Sequence, residues 1–168
     1  NLCFEFLDEK LHSLSLVGLG ARNNIDNDIL RNCLSEFSRK VSDKEKKISI
    51  LLPWEELDEK ALYIAAEAIR LSTFRDNRFN NKKVEINVLK EVEFILPNKL
   101  SNISFKESED ICEGVEFARR LVAAPPNSLT PLNMSIQAIE IAKENNLEIK
   151  ILESEQCTAL NMGAYLAV

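Results

Sequence analysis

The stretch EGVEFARRLVAAPPNSLTP, Glu113 to Pro131, ends one helix, turns the chain and starts another. Upstream of it, Ser104 and Glu107 form an S-x-x-E capping box, and Glu107, Glu109 and Asp110 put negative charge at the positive end of the helix dipole. Ile111, Val115, Ala118, Leu121 and Val122 then recur at helical spacing and predict the apolar face, with Glu116 and Arg120, four apart, pairing on the wet face. Gly114 costs about 1 kcal/mol against alanine inside a helix, which predicts that another backbone passes close to it. Pro125 biases Ala124 away from helical angles, and Pro126 keeps the helix from resuming. Thr130 followed by Pro131 is an N-cap with proline at the first helical position. The stretch therefore reads as a hinge between two folding units.

Length and composition are those of a globular protein. At 168 residues and 45% hydrophobic content the chain can bury a real core. There is no run of about 18 apolar residues and no basic, apolar leader, so neither a membrane span nor a signal peptide is expected, and the expected location is cytoplasmic. The chain begins at Asn1 and finishes on the apolar run Ala164 to Val168, and both ends read as cut. A net charge of -6 argues against nonspecific binding to nucleic acid, which depends on lysine and arginine meeting phosphate. Lys44, Lys46, Lys47, Lys82 and Lys83 form two short clusters that read as solvated loops. Cys3, Cys33, Cys112 and Cys157 fall at no metal-binding or redox spacing and read as small buried hydrophobes.

Outward from the hinge, strands and helices alternate. Leu2, Phe4 and Phe6, then Leu14 and Leu16, predict two strands separated by a turn at Asp8 to Ser13, with Gly18 to Gly20 ending the second. Asp26 or Asn27 caps a helix whose apolar face is Leu30, Cys33, Leu34, Phe37 and Val41. Ile48 to Leu52 is apolar almost throughout and reads as a buried strand. Asp58 caps a helix carrying Ala61, Ile64, Ala65, Ala68 and Ile69, whose alanines permit close packing on a sheet. Residues 75–83 read as a loop, followed by alternations at Val84, Ile86 and Val88 and at Val92, Phe94 and Leu96. Beyond the hinge, Leu132, Ile136, Ile139 and Ala142 face one way and Met134 and Ile141 another, which predicts a helix covered on two sides. Asn145 and Asn146 stop it. Leu147, Ile149 and Ile151 predict a strand, Ser154 to Asn161 a short helix, and Ala164 to Val168 a last strand: the opening of a parallel βαβ unit.

A helix ending ARRLV, then PPN, then LTP, and onward through LEIKILESEQCTALNMGAYLAV at residues 147–168, resembles the junction between the N-terminal and catalytic domains of the cytosolic leucyl aminopeptidases. The resemblance is close from Glu113 to Val168 and looser before it; family members often carry Asn where Ala123 stands. It implies an α/β fold: a macro-domain-like α/β/α sandwich at residues 1–106, a connecting helix at 107–124, and the truncated start of a second, catalytic α/β domain at 125–168. It also implies a parent enzyme that removes N-terminal residues from peptides, assembles as a hexamer, and uses two divalent metal ions, zinc or manganese, held by carboxylates and a lysine. Those motifs lie beyond the segment resembling MGAYLAV. No catalytic, cofactor-binding or metal-binding residue is therefore assigned within the chain, and the fragment is expected to be an inactive structural and assembly unit.

Two features support rival readings. Gly18-Leu19-Gly20 sits between a strand and a helix, where a phosphate-binding turn would lie, with Asn23 in place of a third glycine. On it rests the alternative of a macro-like module holding a nucleotide or ADP-ribose; a free-standing interaction domain is the other. His12, the sole histidine, sits in a polar turn, and Trp54 after Pro53 reads as a core or interface aromatic.

Overall fold

The computed structural model describes residues 2–4, 14–52, 59–80, 89–96 and 105–167. His12, Trp54, the Asp58 cap, the expected strand at Val84 to Val88 and the Ser104 half of the capping box lie outside these residues. Two compact units, Asn1–Val122 and Ala123–Val168, divide the chain.

The first unit is a mixed α/β fold. Strand β1 (Leu2–Phe4) pairs antiparallel with β2 (Leu14–Leu16), Leu2 opposite Leu16. Helix α1 (Asn27–Val41) follows a short 3-10 turn at Arg22–Asn24 and starts where the Asp26 carboxylate accepts from the Ile29 N–H at 2.8 Å. Strand β3 (Lys47–Leu51), helix α2 (Glu59–Thr73), strand β4 (Glu91–Ile95) and helix α3 (Lys106–Ala123) complete the unit. β3 and β4 run parallel, Ile48 opposite Val92 and Ile50 opposite Phe94.

The core lies where α1, α2 and β3 meet, around Leu30, Leu34, Ile48, Ile50, Leu62 and Ile69. Ala68 is small enough that α1 reaches the α2 backbone, the Ser35 hydroxyl donating to the Ala68 carbonyl at 3.3 Å. The alanines thus admit a helix as well as a sheet. β3 is covered on one face only: Ile48 and Ile50 are buried, while Ser49 is exposed and Leu51 keeps 62% of its surface. On the open face Lys47 pairs with Glu91, and the Ser49 hydroxyl donates to Glu93 at 3.1 Å, so cross-strand polar pairs take the place of packing.

Helix α3 corrects the face expected from its apolar spacing. Ser108, Cys112 and Glu116, four apart, are its buried residues, while Ile111 and Val122 stand exposed. The buried row is polar because α2 opposite it supplies polar partners: the Ser108 hydroxyl donates to the Tyr63 carbonyl at 3.4 Å, and Glu116 meets arginine. Phe105 closes the N-terminal end, stacked on Phe94 at 6.1 Å and edge-on to Tyr63 at 6.0 Å. A β-carbon at Gly114 would meet nothing within 4 Å, so no backbone approaches there among the described residues.

In the second unit, Pro125 makes the turn, its carbonyl accepting from the Ser128 and Leu129 N–H groups at 2.8 and 3.0 Å. Helix α4 (Pro131–Glu144) begins at the expected cap, with the Thr130 hydroxyl accepting from the Asn133 N–H at 3.2 Å. It stops at the expected asparagines: Asn146 takes φ 53°, and the Leu147 N–H reaches back to the Ala142 carbonyl at 2.8 Å. Only Ala142 of α4 is buried, which corrects the expectation of cover on two sides. Residues 147–153 form no ladder, because a strand needs a partner for its N–H and C=O groups and none lies beside them among the described residues. The short helix appears as α5 (Ser154–Ala159). The last expected strand is instead a helical turn, α6 (Gly163–Leu166), started by the Tyr165 N–H donating to the Met162 carbonyl at 3.1 Å. Among the described residues the expected βαβ opening is therefore not formed.

Candidate functional site

Among the described residues, a dense polar constellation forms the seam between α2 and α3 in the first unit. Arg70 holds Glu116 through two bonds, Nε to Oε1 at 2.7 Å and Nη2 to Oε2 at 3.2 Å, and Arg120 adds a third at 3.3 Å. Glu116 keeps 8% of its surface, so its charge is tolerable only because two guanidinium groups enclose it. The hydrogen bond to Glu116 raises the Arg70 pKa above its ordinary value. The i,i+4 pair expected from sequence is thus present, but it lies in the seam rather than on the wet face.

The same seam joins two helix ends. Arg119 of α3 donates to the carbonyl of Leu71 in the last turn of α2, and Arg78, from the loop after α2, donates to the carbonyl of Arg120 near the end of α3. Each helix end receives a cation where its terminal carbonyls lack intrahelical partners and its dipole is negative. Arg78 is held in turn by Asp76, at 2.9 and 2.7 Å, and that hydrogen bonding lowers the Asp76 carboxyl from 3.8 to about 2. Arg120 also lies over the Phe74 ring, 5.4 Å from its centroid. Sequence reasoning found none of the longer links, since Arg70 and Glu116 stand 46 residues apart and no periodicity connects them.

Beside the seam, α2, β4 and the start of α3 line an open cavity of 390 Å³. Ile69, Val92, Phe94 and Phe105 give it an apolar lining, with Lys90 and Glu109 among the polar residues at its walls. Cys112 also lines it, and burial pushes its thiol pKa up.

The other candidates do not gather into a site. Gly20 has the positive φ, 86°, that favours glycine, and Gly18 offers its carbonyl to the Cys33 thiol at 3.8 Å. The α1 N-terminus beyond it is already occupied by the Asp26 carboxylate, with Asp28 in the first turn. A phosphate there would meet two negative charges. Cys112 is buried as expected, whereas Cys33 and Cys157 are half-buried. Among the described residues no three histidines, cysteines or acidic side chains could hold a metal ion. Glu113 and Glu116 both face Arg70, and a divalent cation there would have to displace a guanidinium group. The described residues therefore do not fit a metal centre. No described helix is long and apolar enough to cross a membrane.

Residues 3–83 match the N-terminal domain of the cytosol aminopeptidase family, and residues 116–168 match the catalytic domain of the same family. A protein of Prochlorococcus marinus subsp. pastoris, described as a probable cytosol aminopeptidase, is 56% identical over 99% of this chain and 34% of its own length. One of Synechococcus sp. with the same description is 37% identical over 98% of this chain and 34% of its own length. The chain thus spans about a third of the curated relatives it matches. A mutant of tomato leucine aminopeptidase superposes with a TM-score of 0.76 at 28% identity, over 90% of this chain and 32% of that one. The bottromycin maturation enzyme BotP, in complex with Mn, shares the fold at a TM-score of 0.64 and 22% identity, over 86% of this chain and 30% of its own. With two successive domains of one family matched in order along it, the chain belongs to the cytosol aminopeptidase family.

Proposed function

We propose that this chain is the N-terminal, structural part of a leucyl aminopeptidase, a metal-dependent exopeptidase that releases N-terminal amino acids from peptides. Residues 1–106 are its N-terminal α/β domain, 107–124 its connecting helix and 125–168 the beginning of its catalytic domain. The observation that carries this reading is the order of the two family matches, N-terminal domain then catalytic domain, on a chain about a third the length of its relatives. The two divalent ions, zinc or manganese, are held by residues outside this chain. Assembly as a hexamer and a cytoplasmic location complete the proposal, with the first unit serving as a scaffold.

The test compares residues 1–168 alone with a chimera joining them to the remaining two-thirds of the Prochlorococcus relative. Both are assayed on leucine p-nitroanilide with manganese or zinc. The chimera is expected to turn over and the 168-residue chain is not. Turnover by the short chain that survives repurification, or a folded chimera without activity, would contradict the proposal.

A further inference from the structure

We propose that the cavity between α2, β4 and α3 binds a free apolar α-amino acid, with Lys90 taking its carboxylate and Glu109 its ammonium. Three elements line this space: α2 through Ile69, β4 through Phe94, and α3 through Cys112, with Phe105 just ahead of it. Its 390 Å³ lies within the range of about 300–1,000 Å³ usual for small-molecule sites, with the apolar lining that removes a side chain from water. Arg70 also lines it, but that cation is already committed to Glu116. Lys90 and Glu109 are exposed, and neither has an ion-pair partner within 4.0 Å among the described residues.

One cation and one anion beside an apolar lining, neither paired among the described residues, select the class of ligand. A fatty carboxylate would satisfy Lys90 and leave its own charge near Glu109. A nucleotide would bring still more negative charge toward the same carboxylate. A zwitterion with an apolar side chain matches both heads and the lining at once. Leucine is chosen as the probe because the proposed parent reaction releases apolar amino acids, and in that choice alone the inference rests on the aminopeptidase reading. The role would be sensing of product by the scaffold unit.

The experiment is a titration of residues 1–168 with L-leucine, followed by calorimetry and by methyl NMR of Ile69, Leu89 and Val92. N-acetyl-leucine amide, which lacks both charges, serves as the control ligand. Saturable binding at millimolar leucine is expected, with the cavity methyls shifting and at least tenfold weaker binding of the blocked analogue. Lys90→Glu and Glu109→Lys should each weaken binding at least tenfold, and the double exchange should restore much of it by reversing the pair. Each variant is checked by circular dichroism, and the double exchange supplies the answer if one single variant fails to fold. No saturable shift up to about 20 mM leucine, equal binding of the blocked analogue, or indifference to both single exchanges would overturn the inference. Because no turnover is measured, its failure is separate from failure of the aminopeptidase reading.

Discussion

The two units are written in the same kind of sequence, helices with apolar faces and short apolar alternations, yet only the first encloses its apolar side chains. In Asn1–Val122, Leu62 and Ala65 are fully buried and Leu30, Ile48 and Ile69 nearly so. In Ala123–Val168, Ala142 alone is buried among the described residues, while Leu132, Ile136 and Ile139 of α4 keep 69%, 42% and 46% of their surface. The difference shows that amphipathic spacing specifies a face without supplying what covers it. Helix α4 is set by its own ends, Thr130 and Asn146, and so forms without a core, whereas the expected strands need partners and do not form.

The largest effect expected from this contrast is at Leu62. Leu62→Ala should cost about 2–5 kcal/mol, the usual range for a fully buried leucine, and Ile136→Ala less than about 0.5 kcal/mol. Urea unfolding followed by circular dichroism measures both. Comparable losses at the two positions would erase the distinction between the units.

A smaller effect is expected at the seam. Arg70→Met leaves the buried Glu116 carboxylate with Arg120 alone, and should cost about 2 kcal/mol once the partial exposure of Arg70 is allowed for. Arg70→Met combined with Glu116→Leu should recover much of that loss, because no uncompensated charge then remains buried. A double variant less stable than Arg70→Met would show that the pair itself, rather than the stranded carboxylate, carries the energy.

The smallest effect runs in the opposite direction. Gly114→Ala should stabilise the chain by about 0.5–1 kcal/mol, since the added methyl meets open space and alanine is the better helix former. A loss of stability measured in the same urea titration would mean that Gly114 is needed for close approach after all.

What the sequence made legible was mostly local. Asp26, Thr130 and the asparagines at 145 and 146 stop and start helices through bonds within five residues, and each acts as its spacing implies. The apolar run Ile48 to Leu52 and the alternation Val92 to Leu96 yield paired strands, though the first is covered on one face only and their parallel partnership joins segments 44 residues apart. The burial of α3 was not legible from its apolar residues, because the face turned inward was chosen by Arg70 and the Tyr63 carbonyl, both on another helix. For the same reason the cavity beside the seam had no signature: Lys90, just before β4, and Glu109 of α3 come to line one space only through the packing of those elements. The family resemblance at the hinge was legible because its residues are contiguous.

The most direct test of the contrast between the units is hydrogen exchange read by mass spectrometry on a dilute sample of residues 1–168. Amides of Ile48 to Leu51 lie in a paired strand backed by the core, whereas those of Ile149 to Leu152 have no ladder. The β3 amides should open only with the unit as a whole, and those at 149–152 should exchange within the earliest time points. Protection at 149–152 equal to that of Ile48 to Leu51 would contradict the claim that the second unit stands uncovered.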